Sequence, residues 1–306
     1  MSSAPVFIVG MPRSGTTLLS NLLNATEQIY FPGETHFFLL EDKMGFKNEK
    51  DFQLFYTDYN KNPYLGALGL SDQFINELRD NVFGNGDFLE KICLSKANDQ
   101  GVKRWGEKTP SHFMYVNQIY RYFPNAILLN IYRDPRDVIN SIINANWGRI
   151  KMLKWLKGYK KNVQFIKSIS SNKCLHIRYE DLTNTTMAEL SKISNFIHVS
   201  IDSDILNTFY LPKNLNFALE SEPWKKNNLS PISNINAFKW KKSKTNKVIM
   251  RNKFISWYLK DEIKFLNYDK YCFPNPIYSF IIWNKYFFIY WLENTVKYIV
   301  NYVRQQ

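Results

Sequence analysis

The amino-acid sequence predicts a three-layer α/β domain, with a central parallel sheet, helices on both faces and a helical C-terminal extension. Apolar runs of buried-strand type occur at Val6–Val9 and Ile127–Tyr132, and residues 174–179, "CLHIRY", read as a third strand. Each run leads into a segment whose apolar residues repeat at helical spacing. Strands that alternate with helices need crossover connections, and so pair in parallel.

Taken in order, the first strand runs into Gly10, and Leu18, Leu19, Leu22 and Leu23 then mark one helix face. A loop carrying Pro32, Gly33, Glu34, Thr35 and His36 follows. Residues 41–104 show turn signals at Asn85–Gly86 and around Pro63, and read as several short helices. Pro110 is a favoured first-turn residue, with Phe113, Val116, Ile119 and Tyr120 at helical spacing behind it. After the second strand, Asp134 is a good N-cap with Pro135 at the first helical position, and Val138, Ile139, Ile142 and Ile143 line the helix. The third strand passes through Glu180 and Asp181 into a helix bearing Met187, Leu190, Ile193 and Ile197. A further helix begins near 246, carries Val248, Ile249, Ile255, Trp257, Leu259, Ile263 and Leu266, and stops near Pro274 and Pro276. Without repeats or a long linker, residues 1–270 read as one domain and 271–306 as an aromatic tail.

A chain of 306 residues, 45% hydrophobic and 16% aromatic, can bury a substantial core and is not of disordered composition. The net charge of +13 favours anionic partners, although much of it is lysine that could be scattered over a solvated surface. Cys93, Cys174 and Cys272 are far apart and form neither a disulfide framework nor a zinc pair, which fits a reducing compartment. The first apolar run begins directly after a short leader, without a signal peptide, so the expected location is cytoplasmic. The tail is interrupted by Asn284, Lys285, Glu293 and Asn294 and makes a poor transmembrane span. It is expected to pack on the domain, to join two copies in a homodimer, or to make a peripheral membrane contact. Zinc-finger, recognition-helix and RNA-binding signatures are missing, which argues against a nucleic-acid partner.

The stretch "FIVGMPRSGTTLL", residues 7–19, carries the chemistry. A strand, Gly10, four residues, Gly15 and a helix aim backbone N–H groups and a helix N-terminus at an anion. Thr16 and Thr17 add hydroxyls, and Arg13 adds a planar cation suited to phosphate or sulfate. A P-loop would continue after Gly15 with Lys and then Ser or Thr; here Thr16 and Thr17 follow. Taken alone, the two glycines also fit an ordinary tight turn. Arg133 ends the second strand, and in parallel α/β sheets ligands bind beyond the carboxyl ends of strands. Ser141 lies about two turns into the next helix. Read alone, Arg133–Asp134 could be a surface salt bridge and Ser141 a packed small residue.

"VGMPRSGTTLL" and "YRDPRDVINS" together resemble the cofactor signature of sulfotransferases that use 3′-phosphoadenosine 5′-phosphosulfate, PAPS. The resemblance implies a P-loop-like fold and PAPS as donor. It places Arg13, Ser14, Gly15, Thr16 and Thr17 in the 5′-phosphosulfate loop, and Arg133 and Ser141 at the 3′-phosphate. "PGETHFF" is similar to a segment of tyrosylprotein and some bacterial sulfotransferases whose Glu acts as base, here Glu34. "WGEKTPSH" resembles a segment whose Lys contacts the sulfuryl group, here Lys108. "IRYEDL" implies Tyr179 near the adenine, and "AFKWKK" implies Lys239 near the phosphates, with Ser230 as the serine that precedes this element. The likeness extends over roughly residues 5–242. Where the helix after the 3′-phosphate serine supplies another Arg in tyrosylprotein sulfotransferases, this chain has Ala145 in an ungapped alignment. The N-terminal anchor and paired cysteines of the Golgi enzymes do not appear either, which points away from a Golgi location and a peptide-tyrosine acceptor.

The implied reaction is in-line transfer of a sulfuryl group to an acceptor hydroxyl or amine, on a small molecule, carbohydrate, lipid or peptide. Glu34 takes the acceptor proton, and Lys108, the threonine hydroxyls and loop N–H groups stabilise developing charge. No aspartate cluster suggests magnesium, and no metal is expected. Beside His36 and His112, which flank these segments, the structural role is the commoner one for a lone histidine. Two alternatives remain: a P-loop-type kinase or ATPase with a modified loop, and a non-catalytic nucleotide-binding protein on the same fold.

Overall fold

β1 (Val6–Gly10) is buried along its whole length, because both faces of the sheet are covered. The computed structural model describes residues 4–45, 48–58, 61–62, 64–81, 84–145, 152–211 and 230–269, with Ala67 as backbone only. The tail 271–306, Cys272 and residues 212–229 of the stretch before "AFKWKK" lie outside the described residues. Two compact units are formed: the chain up to Arg133 with Gln164–Ala237, and Asp134–Val163 with Phe238 onward.

In the first unit, β2 (Gly106–Lys108), β3 (Ile127–Tyr132) and β4 (Cys174–Arg178) join β1 in one parallel sheet of order β2-β1-β3-β4. Gly10 pairs with Ile131, and Ile8 lies opposite Lys108, so the C-terminal ends of β1, β2 and β3 share one edge. β2 is a strand the apolar pattern does not reveal. Gly-Glu-Lys is too short and polar to signal a strand, and its pairing with β1 makes it one (a tertiary effect).

Alternate residues of β1 point to opposite faces. Val6 and Ile8 pack in a cluster with Leu19, Leu22 and Leu23 of α1 (Thr16–Asn24), and with Leu129, Ile131 and Ile177. Phe7 meets Trp105 edge-on at 5.8 Å and Phe123 at 5.7 Å. Fully burying side chains of this size is worth about 1.5–3 kcal/mol each. The segment between β1 and β2 holds α2 (Phe37–Met44), α3 (Glu49–Tyr56), α4 (Leu65–Leu68), α5 (Asp72–Asn81) and α6 (Asn85–Asp99). Phe37, Phe52, Tyr56 and Phe88 bind α2, α3 and α6 into an aromatic cluster. The helix expected after Pro110 is a 3-10 helix (Pro110–Tyr115) followed by α7 (Val116–Tyr122).

The second unit begins at Asp134 and α8 (Pro135–Asn144). Its Asp134 Oδ1 accepts from the Arg136 backbone N at 2.9 Å, as an N-cap should. The same carboxylate accepts from the Arg136 side chain and from Trp240 Nε1, and Arg136 lies 3.6 Å over the Trp240 ring. Asp134 and Arg136 are therefore a buried pair within the unit. α9 (Met152–Ser168) starts here and runs on into the first unit, where α10 (Tyr179–Asn184), α11 (Thr186–Ile197) and α12 (Ile205–Thr208) follow β4. The single helix expected from 246 is divided at Leu259 into α13 (Asn246–Tyr258) and α14 (Lys260–Phe265).

Candidate active site

β1 ends where the chain turns sharply towards α1. Gly10 has φ +147°, and a Cβ there would stand 2.3 Å from the Ile131 carbonyl oxygen, so β3 leaves no room for a side chain. Gly15 has φ +105° and faces the Tyr179 ring, 2.5 Å from where a Cβ would be. Between them Arg13 takes a left-handed φ of +72°, uncommon without glycine. Ser14 N donates to Met11 O at 3.2 Å and closes the turn. As N-cap, Gly15 offers the first-turn N–H groups no side-chain acceptor. Ser14 is fully buried, and its Oγ has no hydrogen-bond partner among the described residues. Thr16 and Thr17 are buried in the first turn of α1.

Arg133 stands just past β3, beside this loop. Its Nη1 donates to the Arg13 carbonyl at 3.2 Å, its Nη2 to the Asn236 carbonyl at 2.6 Å, and its guanidinium lies 4.6 Å over the Tyr179 ring. The loop, Arg133 and Tyr179 thus form one group at the C-terminal edge of the sheet. Arg133 is buried. Ser230 is exposed in a bend of the first unit. Ser141 (in α8) and Lys239 belong to the second unit. There Lys239 opens a 3-10 helix (Lys239–Lys242) that Asp137 holds by accepting from the backbone N of Lys239 and Trp240.

Glu34 and Lys108, 74 residues apart, meet at 2.8 Å between Oε1 and Nζ. Lys108 is fully buried, since β2 lies beside β1, and Glu34 is partly exposed. Glu34 Oε2 lies 3.4 Å from His36 Nε2, and the His36 ring stacks on Tyr64 with centroids 3.8 Å apart.

A supporting network stands behind this pair. Along β2, Glu107 points to the face opposite Lys108. Its fully buried carboxylate accepts from Thr35 Oγ1 at 2.8 Å, Thr109 Oγ1 at 2.6 Å and Thr109 N at 3.1 Å, and meets His112 Nδ1 at 2.8 Å. Thr109 Oγ1 in turn accepts from the His36 backbone N, and Thr35 Oγ1 from Phe37 N. The residues flanking Glu34 are so fastened to those flanking Lys108. Burial alone would raise the Glu107 carboxyl; the His112 ring, with the hydrogen bonds from His112, Thr109 and Thr35, outweighs it and holds the group below the ordinary range. Sequence reasoning missed Glu107, because its distant partner Thr35 becomes a neighbour only in the folded chain. The available signal was the Glu-Lys-Thr run with His112 close behind it.

The chain belongs to the sulfotransferase family, whose model matches residues 5–203. It is 25% identical over 215 residues to protein-tyrosine sulfotransferase A of Caenorhabditis elegans, covering 66% of this chain and 52% of that protein. To the protein-tyrosine sulfotransferase of Drosophila melanogaster it is 24% identical over 216 residues, covering 66% and 39%. The chain thus spans about half the length, or less, of these two relatives. Among solved structures, the sulfotransferase domain from the curacin biosynthetic pathway superposes with a TM-score of 0.60 at 19% identity, covering 87% of this chain and 98% of that one. The sulfotransferase domain from the Synechococcus PCC 7002 olefin synthase gives 0.59 at 18%, covering 83% and 96%. These two likenesses establish the P-loop-like fold. Among the described residues, no helix is long and apolar enough to cross a membrane.

Proposed function

We propose that this protein transfers a sulfuryl group from PAPS to an acceptor hydroxyl, with Glu34 as the base. The observation that carries the reading is the 2.8 Å pairing of Glu34 with a buried Lys108 at the sheet edge where the Gly10–Thr17 loop and Arg133 also lie. A carboxylate for the acceptor proton and a cation for developing charge are what such a transfer asks of a protein.

The residues fit the donor. The glycine cradle, the buried Ser14 hydroxyl and the start of α1 suit an anion approached by backbone N–H groups. Thr16, Thr17 and Arg13 complete the assignment for the 5′ end, and Arg133 serves the 3′-phosphate with Tyr179 beside it. The roles of Ser141, Ser230 and Lys239 rest on the family resemblance. When bound, PAPS would supply the sulfuryl group and depart as the 3′,5′-bisphosphate. Glu34 accepts the acceptor proton at a carboxylate oxygen, from hydrogen-bond reach of about 2.6–3.2 Å. The Lys108 ammonium, and the threonine hydroxyls and N–H groups of the loop, neutralise charge on the moving group and leaving oxygen.

The test is incubation with sulfur-labelled PAPS and extracts of the source organism, followed by identification of the labelled product. Given the names of the curated relatives, a tyrosine phenol is the first defined acceptor to assay. Label transfer that depends on Glu34 supports the reading. Tight magnesium–ATP binding with negligible affinity for the 3′,5′-bisphosphate would instead make the protein a P-loop-type nucleotide enzyme. Bisphosphate binding without transfer to any acceptor would make it a binding protein.

A further inference from the structure

The positive charge of this protein is not scattered. The segments Asp134–Val163 and Phe238–Gln306 hold 20 of the 40 basic residues but 6 of the 27 acidic ones, so the rest of the chain is close to neutral. α9 (Met152–Ser168) contains five lysines and no acidic residue, and α13 (Asn246–Tyr258) holds Lys247, Arg251 and Lys253, again with none. Like charges three and four positions apart repel on a helix. Lys157 and Lys161 stand at such spacing, both exposed to solvent. A run of this kind weakens the helix unless an anionic surface meets it.

One of these lysines, Lys160, adjoins an aromatic cluster within the same unit. Lys160 lies 4.6 Å over the Tyr258 ring, which joins α9 to the C-terminal end of α13. Phe254, Trp257 and Tyr258 cluster there with centroids 5.8–6.4 Å apart, and Trp257 is 39% exposed. Lysines beside amphipathic aromatic rings suit the boundary between lipid headgroups and acyl chains. The sequence beyond this unit's described part points to lipid rather than to a nucleic-acid groove. Residues 271–306 include 12 aromatic side chains, besides many Ile, Leu and Val residues.

We propose that the Lys157–Lys160–Lys161 face of α9, with Trp257 and Tyr258 of α13, docks the protein on an anionic lipid bilayer. Lysines near a bilayer contribute through the negative surface potential, which salt screens. The inference is independent of the donor site and of Glu34.

The experiment is co-sedimentation of the full chain with phosphatidylcholine vesicles, with and without roughly one third phosphatidylserine. Binding is expected on the anionic vesicles alone, and should be lost as salt rises from about 0.1 M to about 1 M and the screening length falls from ~10 to ~3 Å. Lys157→Gln/Lys161→Gln should lower the partition coefficient roughly tenfold or more, while Lys157→Arg/Lys161→Arg keeps it. Trp257→Ala should weaken binding to the same vesicles even at low salt. Equal binding to neutral vesicles, or undiminished binding by the glutamine variant, would overturn the proposal. So would failure to bind vesicles of either kind, and if an RNA homopolymer were bound in their place the face would belong to nucleic acid.

Discussion

Lys108 Nζ lies 2.8 Å from Glu34 Oε1 although none of the lysine side chain reaches solvent. A charge so enclosed is held by its partner, so the two residues act together. Glu34→Ala should lower transfer by roughly 10²–10⁴-fold while leaving affinity for the 3′,5′-bisphosphate nearly unchanged. The double variant Glu34→Ala/Lys108→Ala should lose little more than the worse single one, since residues acting as a unit are non-additive. Single-turnover rates and calorimetry on the four proteins check this. Fully multiplicative losses would mean that the contact has no part in turnover.

Arg133 joins three elements: the loop through the Arg13 carbonyl, Asn236 through another carbonyl, and Tyr179 through ring stacking. Arg133→Ala should weaken bisphosphate binding by ~1.5–3 kcal/mol, the range for charged hydrogen bonds. Arg133→Lys should recover little of that loss, because an ammonium neither forks between two acceptors nor stacks as a plane. Calorimetry with the bisphosphate tests both variants, and unaltered affinity in the alanine variant removes Arg133 from the 3′-phosphate assignment.

What the sequence discloses here follows the range of the interactions. β1 is legible because a strand buried on both faces must be apolar along its length, β3 because only Asn130 interrupts its apolar run, and the Gly10–Gly15 turn because its backbone needs glycine; β4, Cys-Leu-His-Ile-Arg, is partly buried and gives a weaker signal. The Asp134 cap is legible for the same local reason. β2 is not, since Gly-Glu-Lys becomes a strand only by lying against Val6–Ile8. Glu107 shares that fate: its carboxylate draws on Thr35, 72 residues away, as well as on Thr109 and His112 nearby. Glu34 and Lys108 were reachable by family resemblance, but their contact was not. Nor did composition show that the basic excess gathers in one unit, because that unit is built from two segments distant in the chain.

The two glycines of the loop should differ in what repairs them. At Gly10 an added Cβ would meet the Ile131 carbonyl oxygen, backbone that cannot withdraw without breaking the β1–β3 pairing. At Gly15 it would meet the Tyr179 ring, which a second substitution can remove. Both alanine variants should be destabilised by about 1 kcal/mol or more, since each also forces a positive φ on a residue with a side chain. Gly15→Ala in a Tyr179→Ala background should cost less than in the native one, leaving the backbone strain and a 3.2 Å approach to Ile131 Cδ1. Urea denaturation of the four combinations reads this directly, and an unchanged increment would show that the ring is not the obstacle.

The acid limb of stability should trace to Glu107. Buried among Thr35, Thr109 and His112, it titrates in the folded protein below its unfolded value of about 4.3, so near that pH the unfolded chain holds more protons than the native one. Stability then rises with pH in that window. The contribution of Glu107 is accordingly complete above about pH 4.3 and is lost as pH falls through the lowered native value. Glu107→Gln removes the titrating group and leaves buried donors facing an amide, which should cost roughly 1–3 kcal/mol at neutral pH. Urea midpoints measured from neutral pH into the acid range should therefore start lower for the variant and fall less steeply below about pH 4.3. The same variant should lower turnover without changing bisphosphate affinity, because Glu107, fully buried, fastens the Glu34 loop to the residues flanking Lys108. Parallel acid limbs in the two proteins would assign the pH dependence to other carboxylates and leave Glu107 as packing alone.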